Sequence, residues 1–478
     1  MISMDNVGVL LVSYGAREVV MADTLLRSKR YKVKLYIADK QRNPFNVKHA
    51  TEHRLIPSLD IQKIYKFAET NKNQLDFVLV GSENPIIKGI RDLIEEKVGI
   101  PVICPKKAYA IEESKVAQRE LFAKIAPEAN PRFKVFNPNN YTTDADVKTA
   151  VYRWLDELNN QVAVKPDKPA LGKGVGVWGD HFTSREQLFE HFLSNFKYGS
   201  VIIEEKVPGE ESSCMGFCDG KHFTPLPDTR DYKRAFDDDC GPNTGGMGSY
   251  KDVKDYLPFL TNADRETELA LARKIFEGWK KKIPDDTALR GVPLYLAFMH
   301  TGRGIKILEI NSRPGDPEIM NLLPIIKDDF VDVCFRMVDG NLTDVAMEQS
   351  ATVLTYKVPP DYGGYSEVHA DLVNKAAVGT EVDLHKVDAL SKKYGDNIRI
   401  YPGALEISED GKIYALKSRA IGILGIGKSI EAAREISQEG AKAIPGGALW
   451  NRTDIAAKEH INKSVSHMQR LRCQVCRE

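Results

Sequence analysis

The chain has 478 residues, room for about three domains. It is 42% apolar and 28% charged, which is ordinary for a globular protein. Lys plus Arg and Asp plus Glu number 67 each, and the zero formal net charge removes the electrostatic case for wholesale binding to nucleic acid or an acidic membrane. No stretch approaches the roughly 18 to 20 apolar residues that span a bilayer. The apolar run Val7 to Val12 has no basic region ahead of it and reads as a first strand rather than a signal peptide. Seven cysteines, an odd and sparse set, fit a reducing cytoplasm. Cys473 and Cys476 form a CxxC without a second pair, and a plain terminal tail is its simplest reading.

The first third alternates strands and helices. Val7 to Val12 ends in Ser13-Tyr14-Gly15, a helix from about Arg17 to Ser28 follows, and Lys32 to Ala38 is a second strand. Phe77 to Val80 opens into Gly81-Ser82-Glu83-Asn84-Pro85, then a helix from about Ile87 to Val98 leads to the short strand Pro101 to Ile103. This alternation predicts a parallel α/β sheet, with a ligand beyond the carboxyl ends of its strands, where Gly15 and Gly81 fall.

The middle third is antiparallel, α+β in character. Val162 to Lys165 runs into a Gly/Lys loop, Gly172-Lys173-Gly174. Val201 to Val207 is a strand. Hairpins are predicted at Asp219-Gly220 and at Thr301–Gly304, with a surface helix from Glu266 to Lys282 between them. The last third has strands Thr352–Tyr356 and Ile398–Tyr401, a hairpin around Asp410-Gly411, and helices over about 430–443 and 454–470.

Three constellations could carry chemistry. Lys165 with the Gly172-Lys173-Gly174 loop could cradle phosphates, glycine backbone approaching closely and lysines neutralising charge; an ordinary surface turn has the same composition. Strand alternation puts Glu309 and Asn311 on one face, expected to be that of Ile305 and Ile307, where two hard oxygens could hold a divalent cation; a polar strand end is the alternative. The basic run around Arg230, Lys233 and Arg234, followed by Gly241-Pro242-Asn243-Thr244-Gly245-Gly246-Met247-Gly248, suits anionic substrates or a solvated loop.

Together these residues resemble the phosphoribosylamine–glycine ligase family of the ATP-grasp superfamily. The resemblance rests on Asp231-Tyr232-Lys233-Arg234 with the GPNTGGMG run, on Glu309-Ile310-Asn311-Ser312-Arg313-Pro314-Gly315-Asp316-Pro317-Glu318, and on Val164-Lys165-Pro166-Asp167 with Gly172-Lys173-Gly174-Val175. Gly81–Pro85 and Glu113-Ser114-Lys115 match in order and spacing. It covers about residues 7–330 with high specificity and fades toward 445.

The resemblance implies an ATP-dependent, ADP-forming ligation of glycine to 5-phosphoribosylamine through glycyl phosphate, in purine biosynthesis. It implies a multidomain fold: a phosphoribosyl-binding α/β domain over 1–112, a two-lobed ATP-grasp region over 113–340 with a small lobe at about 135–206, a closing C-terminal domain over 341–447, and a helical tail over 448–478. Lys115, Lys165, Gly172, Lys173 and Gly174 would attend the ATP phosphates. Glu204, Glu205 and Val207 would receive the adenine, and Glu211 the ribose. Glu309 and Asn311 would hold Mg²⁺ or Mn²⁺. Arg313, Asp231, Lys233 and Arg234 would orient glycine and the acyl phosphate. Gly15, Arg17, Glu18, Gly81, Glu83, Pro85, Gly245, Gly246, Gly315 and Asp316 would contact the substrates. A monomer or homodimer is expected, with no nucleic-acid or membrane partner. The chain departs from the family pattern at Val19, where His is usual, at Pro314, where Phe is usual, and from about Ala448 onward. Two alternatives stand beside this reading: another ATP-grasp ligase or carboxylase with different substrates, and a non-catalytic nucleotide-binding relative.

Overall fold

The computed structural model describes residues 5–168, 174–281 and 287–475. Gly172, Lys173 and Cys476, singled out above, lie outside the described residues. The N-terminal region is a five-stranded, all-parallel sheet in the order Glu52–Leu55, Tyr31–Asp39, Asp5–Ser13, Phe77–Val80, Val102–Ile103. Its central strands are buried on both faces, which is why Val7 to Val12 reads as an unbroken apolar run.

The helix Ala16–Leu26 is buried on nearly every side, and Val19, Val20, Met21 and Leu25 belong to one core with Met320, Leu323, Val331 and Tyr401. A helix apolar all round is one that packs on several sides. Val19 is fully buried there, so the position read as a departure from the family pattern serves packing in this chain. The helix expected from about Ile87 to Val98 is Ile90–Lys97, and a short helix, Glu83–Ile87, precedes it. Gly89 stands between them at φ +84°, a left-handed conformation that glycine adopts without steric cost.

Two four-stranded sheets follow. One orders Phe133–Phe136, Val201–Glu205, Val162–Pro166 and Gly176–Val177, and the other orders Phe223–Pro225, Glu210–Asp219, Arg290–Thr301 and Gly304–Asn311. Both hairpins anticipated here are present. A second five-stranded sheet orders Arg230–Asp231, Gly248–Lys251, Ala351–Lys357, Ile421–Gly427 and Ile398–Pro402, so it takes strands from both sides of residue 340. The long C-terminal helix begins at Lys458 and runs to Val475. Among the described residues no helix is long and apolar enough to cross a membrane.

The strand Gly304–Asn311 departs from simple alternation. Ala297 pairs with Glu309 and Phe298 with Ile307, so Leu308 is an extra, bulged residue. A bulge reverses which face later side chains take. Ile307 and Ile310 therefore share one core, whereas Glu309 and Asn311 leave the face of Ile305 and Ile307 on which plain alternation had put them.

Close approach in the second five-stranded sheet depends on Gly425, where a Cβ would lie 1.9 Å from the carbonyl oxygen of Ala433 in the helix Ile430–Ala443. Gly425→Ala is expected to force helix and strand apart and to cost about 3 kcal/mol or more, read as a lowered denaturant midpoint with an unchanged slope.

Candidate active site

Four parts of the chain converge. The strand end at Lys165-Pro166-Asp167 docks on the helix Lys115–Ile125: the Asp167 carboxylate accepts from Ser114 Oγ at 2.7 Å and from the amide of Val116 at 2.9 Å. A carboxylate at a helix N-terminus meets both free amides and the positive end of the helix dipole. This contact explains the Asp of the Val164–Asp167 motif, and it brings Lys115 beside Lys165. Burial and the Lys165 charge lower the pKa of Lys115, against the pull of Glu309.

Lys165 forms an ion pair with the buried carboxylate of Glu204. Arg119 holds the same carboxylate, Nε to Oε2 at 2.7 Å. Burial would push the Glu204 pKa up, but Arg119 and Lys165 bring it below the ordinary range. The guanidinium of Arg119 also donates to the carbonyls of Ile307 at 2.8 Å and Leu308 at 2.7 Å, on either side of the bulge. The disrupted ladder thus regains a partner for two backbone acceptors at the bulge.

Glu309 sits beyond that bulge, with the Asn311 amide nitrogen 3.5 Å from its Oε1. Burial raises its pKa, and Lys233, Lys115, Lys165 and Arg313 together outweigh the burial and keep it ionised. Lys233 is paired with Glu211. Arg313 lies 3.1 Å from Glu112 and 3.5 Å from Glu83. Asp231 has a buried Oδ1 with no hydrogen-bond partner, and burial together with Glu318 holds its carboxyl well above the usual range. A carboxylate and an amide side by side, one held ionised among cations, form a hard oxygen donor set suited to a small divalent cation.

The turn Arg313–Asp316 is the meeting point with the N-terminal sheet. Arg17 donates to the Pro314 carbonyl at 3.2 Å, lies 2.9 Å from Glu18 and 3.8 Å from Glu83. Glu18 accepts from the amide of Gly15 at 2.9 Å. Gly81 passes so close that a Cβ would lie 2.1 Å from Glu18 Oε1. Gly15 and Pro85 flank this group, Gly15 as the cap of Ala16–Leu26 and Pro85 buried in Glu83–Ile87.

On the other side Arg419 binds Asp316, Nη2 to Oδ2 at 2.9 Å, and donates to the Gly245 carbonyl. Tyr362 Oη accepts from the Gly245 amide at 3.0 Å. Gly246 has φ +108°, and a Cβ there would strike Asp231 Oδ1 and Pro317 at 2.6 Å. Gly315 is equally constrained, its Cβ position lying 2.5 Å from Glu318 Oε2.

The expected residues do not all cluster equally. Arg234 donates to the Gly241 carbonyl at 2.8 Å and reaches His181 at 3.4 Å, bracing a surface hairpin. Glu205 lies 3.9 Å from Lys306, and Val207 follows the strand end. Gly174 lies just after the undescribed part of its loop, its carbonyl 3.1 Å from His191 Nε2. Sequence reasoning missed Arg119, Glu112 and Arg419. Arg119 looks like any arginine of an amphipathic helix, and Arg419 stands in an unremarkable loop. Glu112 precedes the Glu113-Ser114-Lys115 match, and its adjacency was the one available signal.

Two family models match the chain: Phosphoribosylglycinamide synthetase, N domain, over residues 7–113, and its ATP-grasp (A) domain, over 131–319. Curated phosphoribosylamine–glycine ligases of Methanocella arvoryzae and Methanobrevibacter smithii are each 36% identical, covering 97% of this chain and 99% of theirs. The crystal structure of phosphoribosylamine–glycine ligase from Thermotoga maritima superposes with a TM-score of 0.71 at 24% identity, over 94% of this chain and all of that one.

Arg119→Met is expected to destabilise the protein by about 3–5 kcal/mol at neutral pH, because it strips a buried charge of one partner. Glu204 has a depressed pKa, so its stabilisation is present above the ordinary carboxylate value and is lost as the pH falls through the folded value. The gap between wild type and variant should therefore narrow in acid, read from denaturant midpoints across pH.

Proposed function

The chain belongs to the phosphoribosylamine–glycine ligase family, and on that premise we propose how its residues carry out the ligation. The enzyme joins glycine to 5-phosphoribosylamine with conversion of ATP to ADP and phosphate, a carbon–nitrogen ligation of purine biosynthesis. A carboxylate is a poor electrophile. A carboxylate oxygen of glycine attacks the γ-phosphorus and expels ADP, and the amine then attacks the carbonyl of glycyl phosphate and expels phosphate.

Phosphoryl transfer needs positioning and charge neutralisation more than covalent participation by the protein. Lys115 and Lys165 serve the ATP phosphates, and Glu204 keeps the Lys165 ammonium in place. Gly172, Lys173 and Gly174 are assigned to the ATP phosphates, as a Gly/Lys composition suits. The strand end at Glu204, Glu205 and Val207 receives the adenine through its backbone, and Glu211 takes the ribose hydroxyls. Glu309 and Asn311 hold a divalent metal, Mg²⁺ or Mn²⁺, which would neutralise phosphate charge when bound.

Lys233 and Arg313 supply positive charge to the glycine carboxylate and the acyl phosphate, with Asp231 on the amino group, whereas Arg234, committed to the surface hairpin, takes no part. The backbone of Gly245 and Gly246 lines the same space. Gly15, Arg17, Glu18, Gly81, Glu83 and Pro85, with Gly315 and Asp316, receive the phosphoribosyl end at the carboxyl edge of the parallel sheet. The observation that carries the reading is Glu309, half-buried beside Asn311 and held ionised by Lys233, Lys115, Lys165 and Arg313. A non-catalytic relative has no use for so costly an arrangement.

Glu309→Gln and Asn311→Asp are expected to lower kcat for glycine-dependent ADP release by about a hundredfold or more, with circular dichroism unchanged. Wild-type turnover in both variants would remove the metal assignment. Wild-type ADP release that does not depend on glycine would remove the ligase reading.

A further inference from the structure

The strand Arg230–Asp231 is followed by Tyr232 and Lys233 and then by the strand Arg234–Phe236, and the two sides of this segment meet different partners. Asp231 and Lys233 face the carboxylates of Glu318, Glu211 and Glu309. Arg230 and Tyr232 face the other way, onto the C-terminal segment. Arg230 donates to Ser464 Oγ at 2.7 Å and pairs with Glu210, which His467 also holds at 2.7 Å. The hydroxyl of Tyr232 accepts from the amide of Ala456 at 3.0 Å.

Arg452 completes the grip. Its side chain is fully buried, an unusual place for a guanidinium. It lies over the Tyr232 ring, 5.1 Å from the centroid, and donates to the Arg234 carbonyl at 2.9 Å. It also donates to Asp454, at 2.7 and 2.8 Å, and to Asp239, at 3.0 Å. Asp454 in turn accepts from the amide of Asp238 at 2.8 Å, and Thr453 is bound by Asp237. Four of the five N–H donors of one buried cation are therefore spent on the segment that carries Asp231 and Lys233, or on the carboxylates that fix it.

We infer that Arg452 is a positioning residue for the ligation. With the segment Arg452–His467 it holds Tyr232 and the Arg234 backbone, and so sets where Asp231 and Lys233 present their side chains. Burying a bidentate Arg–carboxylate pair against an aromatic ring orders a strand more rigidly than packing alone, since planar donors fix angle as well as distance. The inference rests on the placement of Asp231 and Lys233 at the glycine and acyl phosphate.

The test compares Arg452→Met and Arg452→Lys with Arg472→Ala in the full-length chain. Arg472 anchors the helix that follows, Lys458–Val475, to Asp264 at 2.7 Å, away from the strand. Arg452→Met should lower kcat about tenfold to a hundredfold, leave KM for ATP within about twofold, and be partly rescued by lysine. Arg472→Ala should lower the thermal midpoint and leave kcat unchanged. Should Arg452→Met fail to fold, Tyr232→Phe carries the test, with a severalfold loss of kcat expected. Unchanged kcat in the folded Arg452 or Tyr232 variant, or an equal loss in Arg472→Ala, overturns the inference. Asp231→Asn and Lys233→Met are measured alongside. Full turnover in both would refute the placement on which the inference rests, whereas their inactivity beside an active Arg452→Met refutes the inference alone.

Discussion

One guanidinium group, that of Arg119, ties together the strands that carry Lys165, Glu204 and Glu309. It binds Glu204 on the strand Val201–Glu205 and the two carbonyls flanking the bulge at Leu308. Glu204 holds Lys165, and the bulge turns Glu309 away from the apolar core. Planar, forked donors suit this task because one side chain can satisfy a carboxylate and two carbonyls at fixed angles. With Arg119 removed, a buried carboxylate and two carbonyl acceptors would lose partners together, and the lysine and the acid of the site would lose their references.

The same logic of alternating charge extends outward. Glu83 stands between Arg17 and Arg313, Glu112 holds Arg313 from a different element, and Arg419 holds Asp316 from the loop before the strand Ile421–Gly427. Each cation is committed to carboxylates of another part of the chain, so the turn Arg313–Asp316 becomes the junction of three regions. Clefts at such junctions are where small-molecule sites form. The zero net charge of the chain conceals this concentration of paired charge at one place.

Much of this was legible because it is local. The strand Phe77–Val80, the hairpins at Asp219-Gly220 and Thr301–Gly304, and the helix Ile430–Ala443 follow from periodicity and turn chemistry within a few residues. The Glu309/Asn311 pairing was legible, but the face they share was not. A bulge is set by the partner strand and by Arg119, which lies almost two hundred residues away along the chain. The break at Gly89 was overridden by a helical pattern that tolerates a single glycine. Arg419 and Arg452 left no local trace, since nothing in a single arginine tells which distant carboxylate it will meet. Val19 read as a departure from the family and proves to be core, a distinction that only the packing of Ala16–Leu26 reveals.

The claim that matters most is that this site phosphorylates glycine on its carboxylate. Single-turnover reaction with ATP, phosphoribosylamine and glycine labelled with oxygen-18 in the carboxylate tests it directly. One labelled oxygen should appear in each phosphate released, because the attacking oxygen leaves with phosphorus when the amide forms. Phosphate free of label, with both labelled oxygens accounted for elsewhere, would contradict the acyl phosphate and the roles assigned around it.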